Sequence, residues 1–339
     1  MRALVIRKYG NADVLAVENR PDPSPSPTEV LIHVAFSGIN FSDIAARMGL
    51  YPDAPKPPLI AGYEVSGVVA ALGTDVTHLC VGDRVLAFTH FGGQASSIVA
   101  SADLVRKVPD GVSLEQAAAL PVTYLTAYHM LFYIAPLRPN MRVFIHSAGG
   151  GVGLAAIDLC QTVDGVEIIG RASKVKHDFL RHKGVHHLVD AQAHDYTDEV
   201  RRLTNGNGVD RILDAQGGPD WARGYSMLRP CGHLLCFGWG NMVAGERRSI
   251  FHVASQFLQS PRFAPMDLMD KNRTVSGINM GRLWNERQLM SQHMDEILKL
   301  LEIGALQPHI DSIFSVEKAA DAHRHIQARK NVGKVLLQF

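Results

Sequence analysis

The fold class follows from Arg142-Val-Phe-Ile-His-Ser-Ala-Gly-Gly-Gly-Val-Gly153. An apolar run of strand length leads straight into glycines at 149, 150, 151 and 153, and an Ala-rich segment follows. This succession suits a dinucleotide pyrophosphate: glycines permit a tight turn and close backbone approach, and the helix N-terminus adds free N–H groups and a partial positive charge. Ala148, Gly149, Gly150, Gly151, Val152 and Gly153 are assigned to cofactor binding on this ground.

Downstream of the turn the pattern alternates. Strands are predicted at 142–146, 166–169, 187–189, 211–214 and 232–237, and helices from 151, at 175–182, 198–203 and 221–228, which describes a Rossmann-type doubly wound parallel sheet. Residues 240–272 mix Met, Phe, Pro and charges without a clean period and read as helical and lid-like. A strand at 274–278, an amphipathic helix at 285–303 and a returning strand at 333–338 follow. Upstream, Glu29-Val-Leu-Ile-His-Val-Ala-Phe36 alternates with period two, and 65–73 and 81–88 read as two strands joined through a polar turn. Such strands curl into a partly open β-barrel. Ser113-Leu-Glu-Gln116 forms a capping box ahead of an Ala-rich helix that stops near Pro121, and a second helix begins near Thr123. The expected class is α/β: an N-terminal β-barrel catalytic domain plus a Rossmann sheet.

With 339 residues the chain exceeds the roughly 250–300 at which single cores split, so two domains and a cleft between them are expected. The 34 Lys+Arg nearly cancel the 33 Asp+Glu, which removes any electrostatic reason for nucleic acid or anionic membrane as partner and leaves a small-molecule substrate. Cys80, Cys160, Cys231 and Cys236 form no C-x-x-C pair and read as buried, reduced thiols. Charge interrupts the N-terminal apolar run before a signal-peptide core is reached, and no segment approaches about eighteen apolar residues, so no integral membrane segment and a cytoplasmic location are expected.

NAD-selective sheets end the second strand on an acid that holds the ribose 2′-hydroxyl. Here that strand ends Ile168-Ile-Gly-Arg-Ala-Ser-Lys174, with cations at Arg171, Lys174 and Lys176. A 2′-phosphate suits Arg171, Ser173, Lys174 and Lys176, which favours NADPH over NADH. The plainer reading is a set of solvated charges capping the next helix.

Gly38-Ile-Asn-Phe-Ser-Asp43, Met48-Gly-Leu-Tyr51, Ala61-Gly-Tyr-Glu-Val-Ser-Gly67, Gly82-Asp-Arg-Val85, Ala117-Ala-Ala-Leu-Pro-Val122, Leu125-Thr-Ala-Tyr128 and Asn331-Val-Gly-Lys-Val335 together resemble the medium-chain dehydrogenase/reductase superfamily, in its zinc-free quinone oxidoreductase branch. Ser147-Ala-Gly-Gly-Gly-Val-Gly153, Gly224-Tyr-Ser-Met-Leu-Arg-Pro230 and Gln307-Pro-His-Ile-Asp-Ser312 are most similar to the vesicle amine transport protein 1 group. The resemblance implies a GroES-like catalytic domain from 1–122 and 282–339 and a Rossmann domain from 123–281. Zinc-dependent members place Cys where this chain has Asn40 and His where it has Tyr63, and no cysteine occurs between 90 and 115, so no zinc is expected. His186, His187, His323 and His325 read as surface or packing residues.

Without a Lewis acid, a substrate that delocalises the incoming hydride is preferred. Quinones, enones, enals and enoyl thioesters such as those of CoA or a carrier protein qualify, since hydride at the β carbon leaves an enolate that hydrogen-bond donors stabilise. The resemblance implies that Asn40 and Tyr51 face the nicotinamide and that Tyr63 fills the vacated metal position. These three are the catalytic candidates, with Tyr51 the first choice as donor. Asp43 orients their loop. It implies also that Asn40, Thr126, Phe237, Gly238 and Ile278 approach the nicotinamide side, that Asn331 and Lys334 close the site, and that Ala191 replaces a tyrosine near the adenosine. The ordinary alternatives are a loop aromatic for Tyr51, core packing for Tyr63 and a turn residue for Asn40. The rival function is a non-catalytic nucleotide-binding or regulatory protein; an ATPase is disfavoured because no G-x-x-x-x-G-K-[ST] loop occurs. A homodimer is expected through the edge strand at 274–278.

Overall fold

The computed structural model describes residues 1–193, 195–246 and 248–339. Among them the first part runs β1 (Arg2–Ile6), β2 (Leu15–Asn19), β3 (Glu29–Ile39), α1 (Phe41–Arg47), β4 (Leu59–Ile60), β5 (Glu64–Leu72), β6 (Arg84–Phe88), β7 (Ser97–Ser101), β8 (Val105–Lys107), α2 (Leu114–Ala118) and α3 (Thr123–Tyr128). The second runs β9 (Arg142–His146), α4 (Gly151–Gln161), β10 (Glu167–Ala172), α5 (His177–His182), β11 (His187–Asp190), α6 (Tyr196–Leu203), β12 (Val209–Asp214), α7 (Pro219–Met227), β13 (Leu228–Cys236), α8 (Ile250–Leu258), α9 (Pro265–Lys271) and β14 (Thr274–Gly277). The chain closes with α10 (Arg287–Glu302), β15 (Ile310–Ser315), α11 (Ala319–Gln327) and β16 (Lys334–Gln338).

Period-two patterning in β3 buries Val30, Ile32 and Val34 and exposes His33, and its strand sits in a curved sheet ordered β15-β16-β3-β5-β6-β8, with β7 also on β3. The second part is a six-stranded parallel sheet in the order β11-β10-β9-β12-β13-β14. All six residues of β12 are buried, as a strand covered on both faces requires. Strand order reverses between β9 and β12, so a ligand crevice opens at their carboxyl ends. The Ser113 hydroxyl accepts from the Gln116 N–H at 3.2 Å, and the Gln116 side chain accepts from the Ser113 N–H at 3.1 Å, closing the anticipated capping box. One apolar core joins both parts, with Tyr63, Leu86 and Phe88 packed in the same cluster as Leu125, Val143, Leu154, Met290 and Met294.

Two expectations need correction. Residues 240–272 do form helices α8 and α9, but the residues of this segment that line the cleft stop at Val243, so the helices are no lid. They instead leave Ile250, Phe251, Phe257, Leu258, Met266 and Met269 exposed. Cys160 is buried and Cys236 half-buried, whereas Cys80 and Cys231 are exposed, because the apolar runs that bury a thiol surround only the first two. Burial raises both enclosed thiols, Cys236 to about 12.

Candidate active site

The glycine turn is steric at its root. A Cβ on Gly153 would lie 2.5 Å from the Ser147 carbonyl oxygen and 2.6 Å from that of Ala148, so only glycine lets α4 start this close to β9. At Gly151 the same atom would meet Thr123 Cγ2 at 2.9 Å. The segment before β16 closes alongside: the Gly333 N–H donates to the Gly149 carbonyl at 2.9 Å, and Gly150 bridges Gly333.

Past the turn, Arg171 at the end of β10 stacks 4.0 Å over the Tyr196 ring, donates to the Ala191 carbonyl at 2.9 Å and stands 4.0 Å from Asp220. Lys176 donates from Nζ to the Asn331 carbonyl at 2.5 Å, and burial draws its pKa down. Lys174 turns away, 80% exposed and 3.7 Å from Asp190. Arg329, in a left-handed conformation at φ 56°, faces the same space, and its pKa is lowered first by burial and then by Arg171.

At the other end, Asn40 caps α1, its N–H donating to Asp43 Oδ2 at 2.7 Å, while Asp43 Oδ1 accepts from the Gly62 N–H at 3.0 Å. Burial pushes the enclosed Asp43 carboxyl up to about 7 against these two bonds. The Asn40 side chain is held at both atoms: Oδ1 accepts from Lys334 Nζ at 2.6 Å, and Nδ2 donates to Glu64 Oε1 at 2.8 Å. Lys334 and Glu64 form an ion pair, both buried. Tyr51 donates to Asn279 Oδ1 at 3.4 Å and meets Tyr63 edge-on at 6.2 Å between ring centroids. Burial raises both phenols, so each stays protonated, and among the described residues the enclosed Tyr63 hydroxyl has no hydrogen-bond partner. Asn279 and Arg282 both donate to Asp53, at 3.2 and 2.9 Å, strapping the loop of Tyr51 to the end of the parallel sheet.

Both ends open into one cleft of about 1200 Å³, large enough for a dinucleotide and a substrate together. Asn40, Tyr51, Tyr63, Thr126, Gly149, Gly150, Gly151, Val152, Gly153, Arg171, Ser173, Lys176, Phe237, Gly238, Ile278, Asn331 and Lys334 line it; Ala148 and Lys174 do not. Sequence reasoning missed Glu64, Arg329 and Gln216, whose Nε2 donates to the Ser147 hydroxyl at 2.6 Å beside the turn. An acid in the apolar run Tyr63-Glu-Val was the available signal for Glu64, because a carboxylate there demands a buried partner. The donor set also bears on metal. Asn40 Oδ1 already faces an ammonium, which repels a dication, and among the described residues no group of three or more His, Cys, Asp or Glu stands close enough to hold a metal, so these residues do not fit a zinc ion.

A GroES-like barrel and a Rossmann sheet sharing this cleft define a medium-chain dehydrogenase/reductase, a superfamily of oxidoreductases. The family models agree: residues 26–110 match the alcohol dehydrogenase GroES-like domain and 183–337 the zinc-binding dehydrogenase domain. The synaptic vesicle membrane protein VAT-1 homolog of Danio rerio is 41% identical over 99% of this chain and 69% of its own length, and that of Homo sapiens 38% over 99% and 86%. The crystal structure of the human VAT-1 homolog-like protein superposes with a TM-score of 0.87 at 34% identity, covering 100% of this chain and 98% of that one. CurK enoyl reductase gives 0.86 at 28%, covering 99% and 98%, and a mycobacterial protein complexed with NADPH gives 0.87 at 28%, covering 100% of each. The chain belongs to the VAT-1 homolog family of the medium-chain dehydrogenase/reductase superfamily. Those relatives are named as vesicle membrane proteins, and no helix among the described residues here is long and apolar enough to cross a membrane.

Proposed function

We propose that this protein is a zinc-independent NADPH-dependent reductase of activated carbon-carbon double bonds in quinones, enones, enals or enoyl thioesters. The observation that carries this reading is the placement of a protonated Tyr51 hydroxyl and a clamped Asn40 amide in the same cleft as the glycine turn. Bound NADPH supplies the hydride. The backbone of 149–153 and the start of α4 hold the pyrophosphate, and Arg171, Ser173, Lys176 and Arg329 receive the 2′-phosphate, which the NADPH complex of a 28% identical neighbour supports. Lys174 acts there only as a distant charge. Thr126, Phe237, Gly238 and Ile278 border the ring, with Asn331 and Lys334 closing over it. Tyr51 donates a hydrogen bond to the carbonyl oxygen as negative charge collects there, with Tyr63 packed behind it. Residues 1–122 and 282–339 act as the catalytic unit and 123–281 as the cofactor unit.

A second copy completes the parallel sheet in this reading. Strand β14 is the sheet's terminal strand, and α8 and α9, which precede it in the chain, expose Phe251 at 91%, Leu258 at 83% and Met266 at 73%. The test of function is oxidation of NADPH and NADH followed at 340 nm against 9,10-phenanthrenequinone, an enone and enoyl-CoA thioesters. Turnover with at least one acceptor and a preference for NADPH is expected. Tight cofactor binding with no turnover would favour the regulatory alternative.

A further inference from the structure

We propose that Glu64 is a positioning residue for the nicotinamide half of the cofactor: its buried carboxylate ties Asn40, Lys334 and the start of α3 into one clamp that sets both walls of the ring site before ligand arrives. This deepens the reductase reading above and rests on it. Glu64 opens β5 and is fully buried. Its Oε1 takes the Asn40 amide and pairs with Lys334, and its Oε2 accepts from the Val122 N–H at 2.8 Å, the residue that caps α3. From that helix Thr123 and Thr126 reach the cleft. One carboxylate therefore fixes the loop of Asn40 on one wall and α3 on the other.

The clamp also decides which way the Asn40 amide points. Its oxygen faces the ammonium and its nitrogen the carboxylate; the flipped amide would set donor against donor and acceptor against acceptor. Glu64 uses one Nδ2 hydrogen and Lys334 one Oδ1 lone pair, so the amide's remaining N–H is held at a fixed place on the wall. The neighbouring sequence makes room for the clamp, since a Cβ on Gly38 would lie 2.5 Å from both Glu64 Oε1 and Lys334 Cε. Stability alone explains little here, because a well-packed apolar pair in place of a buried ion pair is often as stable or more so. What the pair adds is orientation at a ligand wall.

The experiment is calorimetric titration of the whole chain with NADPH and, separately, with 2′,5′-ADP, which carries only the adenine half. Glu64→Gln keeps the shape and removes the charge; Gly38→Ala presses on the clamp with every charge retained. Glu64→Gln is expected to weaken NADPH binding about tenfold while 2′,5′-ADP changes by less than about twofold, with Gly38→Ala moving the same way. Equal losses for both ligands, or an unchanged NADPH affinity in either folded variant, would reduce Glu64 to a structural staple and overturn the proposal. If Glu64→Gln does not fold, Gly38→Ala decides alone. A wild-type chain that binds 2′,5′-ADP but not NADPH would defeat the reductase reading itself, and the proposal with it; a wild type that binds both with a variant that behaves like it would defeat only the proposal.

Discussion

At the glycine turn the surface offered to a ligand is backbone at residues 149–153, contiguous in the chain; at the far end it is side chains at 40, 51, 279 and 334, brought together by tertiary folding with Glu64 buried behind them. The first end depends on what is missing, since a single Cβ at Gly153 would strike two carbonyl oxygens. The second depends on what is paired, since its ammonium and carboxylate are both out of water. A site made of backbone tolerates changes of charge and fails on volume, whereas a site made of buried side chains fails when one partner is removed.

Lys334→Met attacks the paired end hardest. It leaves Glu64 buried without a counter-ion, and urea unfolding is expected to show a loss of about 3–5 kcal/mol. Gly153→Ala attacks the other end by volume alone, and a fall in NADPH affinity of more than about 100-fold in titration is expected. Tyr51→Phe removes one hydroxyl; kcat should drop about 50-fold with NADPH affinity unchanged, and equal loss in both would make Tyr51 a packing residue. Arg329→Ala should cut the preference for NADPH over NADH about tenfold in parallel 340 nm assays, while leaving Tyr51-dependent turnover of NADH intact.

The smallest effect is one of pH, read at Asp43 in the side-chain end. The Asp43 carboxyl titrates near 7 in the folded protein against an ordinary value near 4 in the unfolded chain, so the folded state holds the extra proton between them. Its contribution to stability is full below about pH 4 and is lost as pH rises toward 7. Asp43→Asn, neutral throughout, should flatten the stability difference between pH 5 and pH 8 by about 1 kcal/mol or more in urea unfolding.

This contrast also explains what the sequence revealed. Strand, glycines and helix lie side by side at 142–161, so β9, the turn and α4 were legible from spacing, and the alternation that follows gave the parallel sheet. Arg171 was legible as a cation at the right strand end, but its stacking on Tyr196 was not, since 25 residues separate the two. Glu64 sat inside a recognised motif and went unassigned because its partners are Asn40, Val122 and Lys334, the last 270 residues away. The 240–272 segment misled as a lid because apolar side chains without a clean period mark an unpartnered surface as readily as a ligand cover.

Hydride delivery to carbon can be followed by isotope transfer. NADPH deuterated at C4 of the nicotinamide, on each face in turn, is incubated with the chain and an acceptor enone, and the product is read by mass spectrometry and NMR. One deuterium at the β carbon, from one face only, is the expected result. Cofactor that binds and stays unoxidised, or a label found on the carbonyl carbon, would mean that this protein does not reduce the double bond.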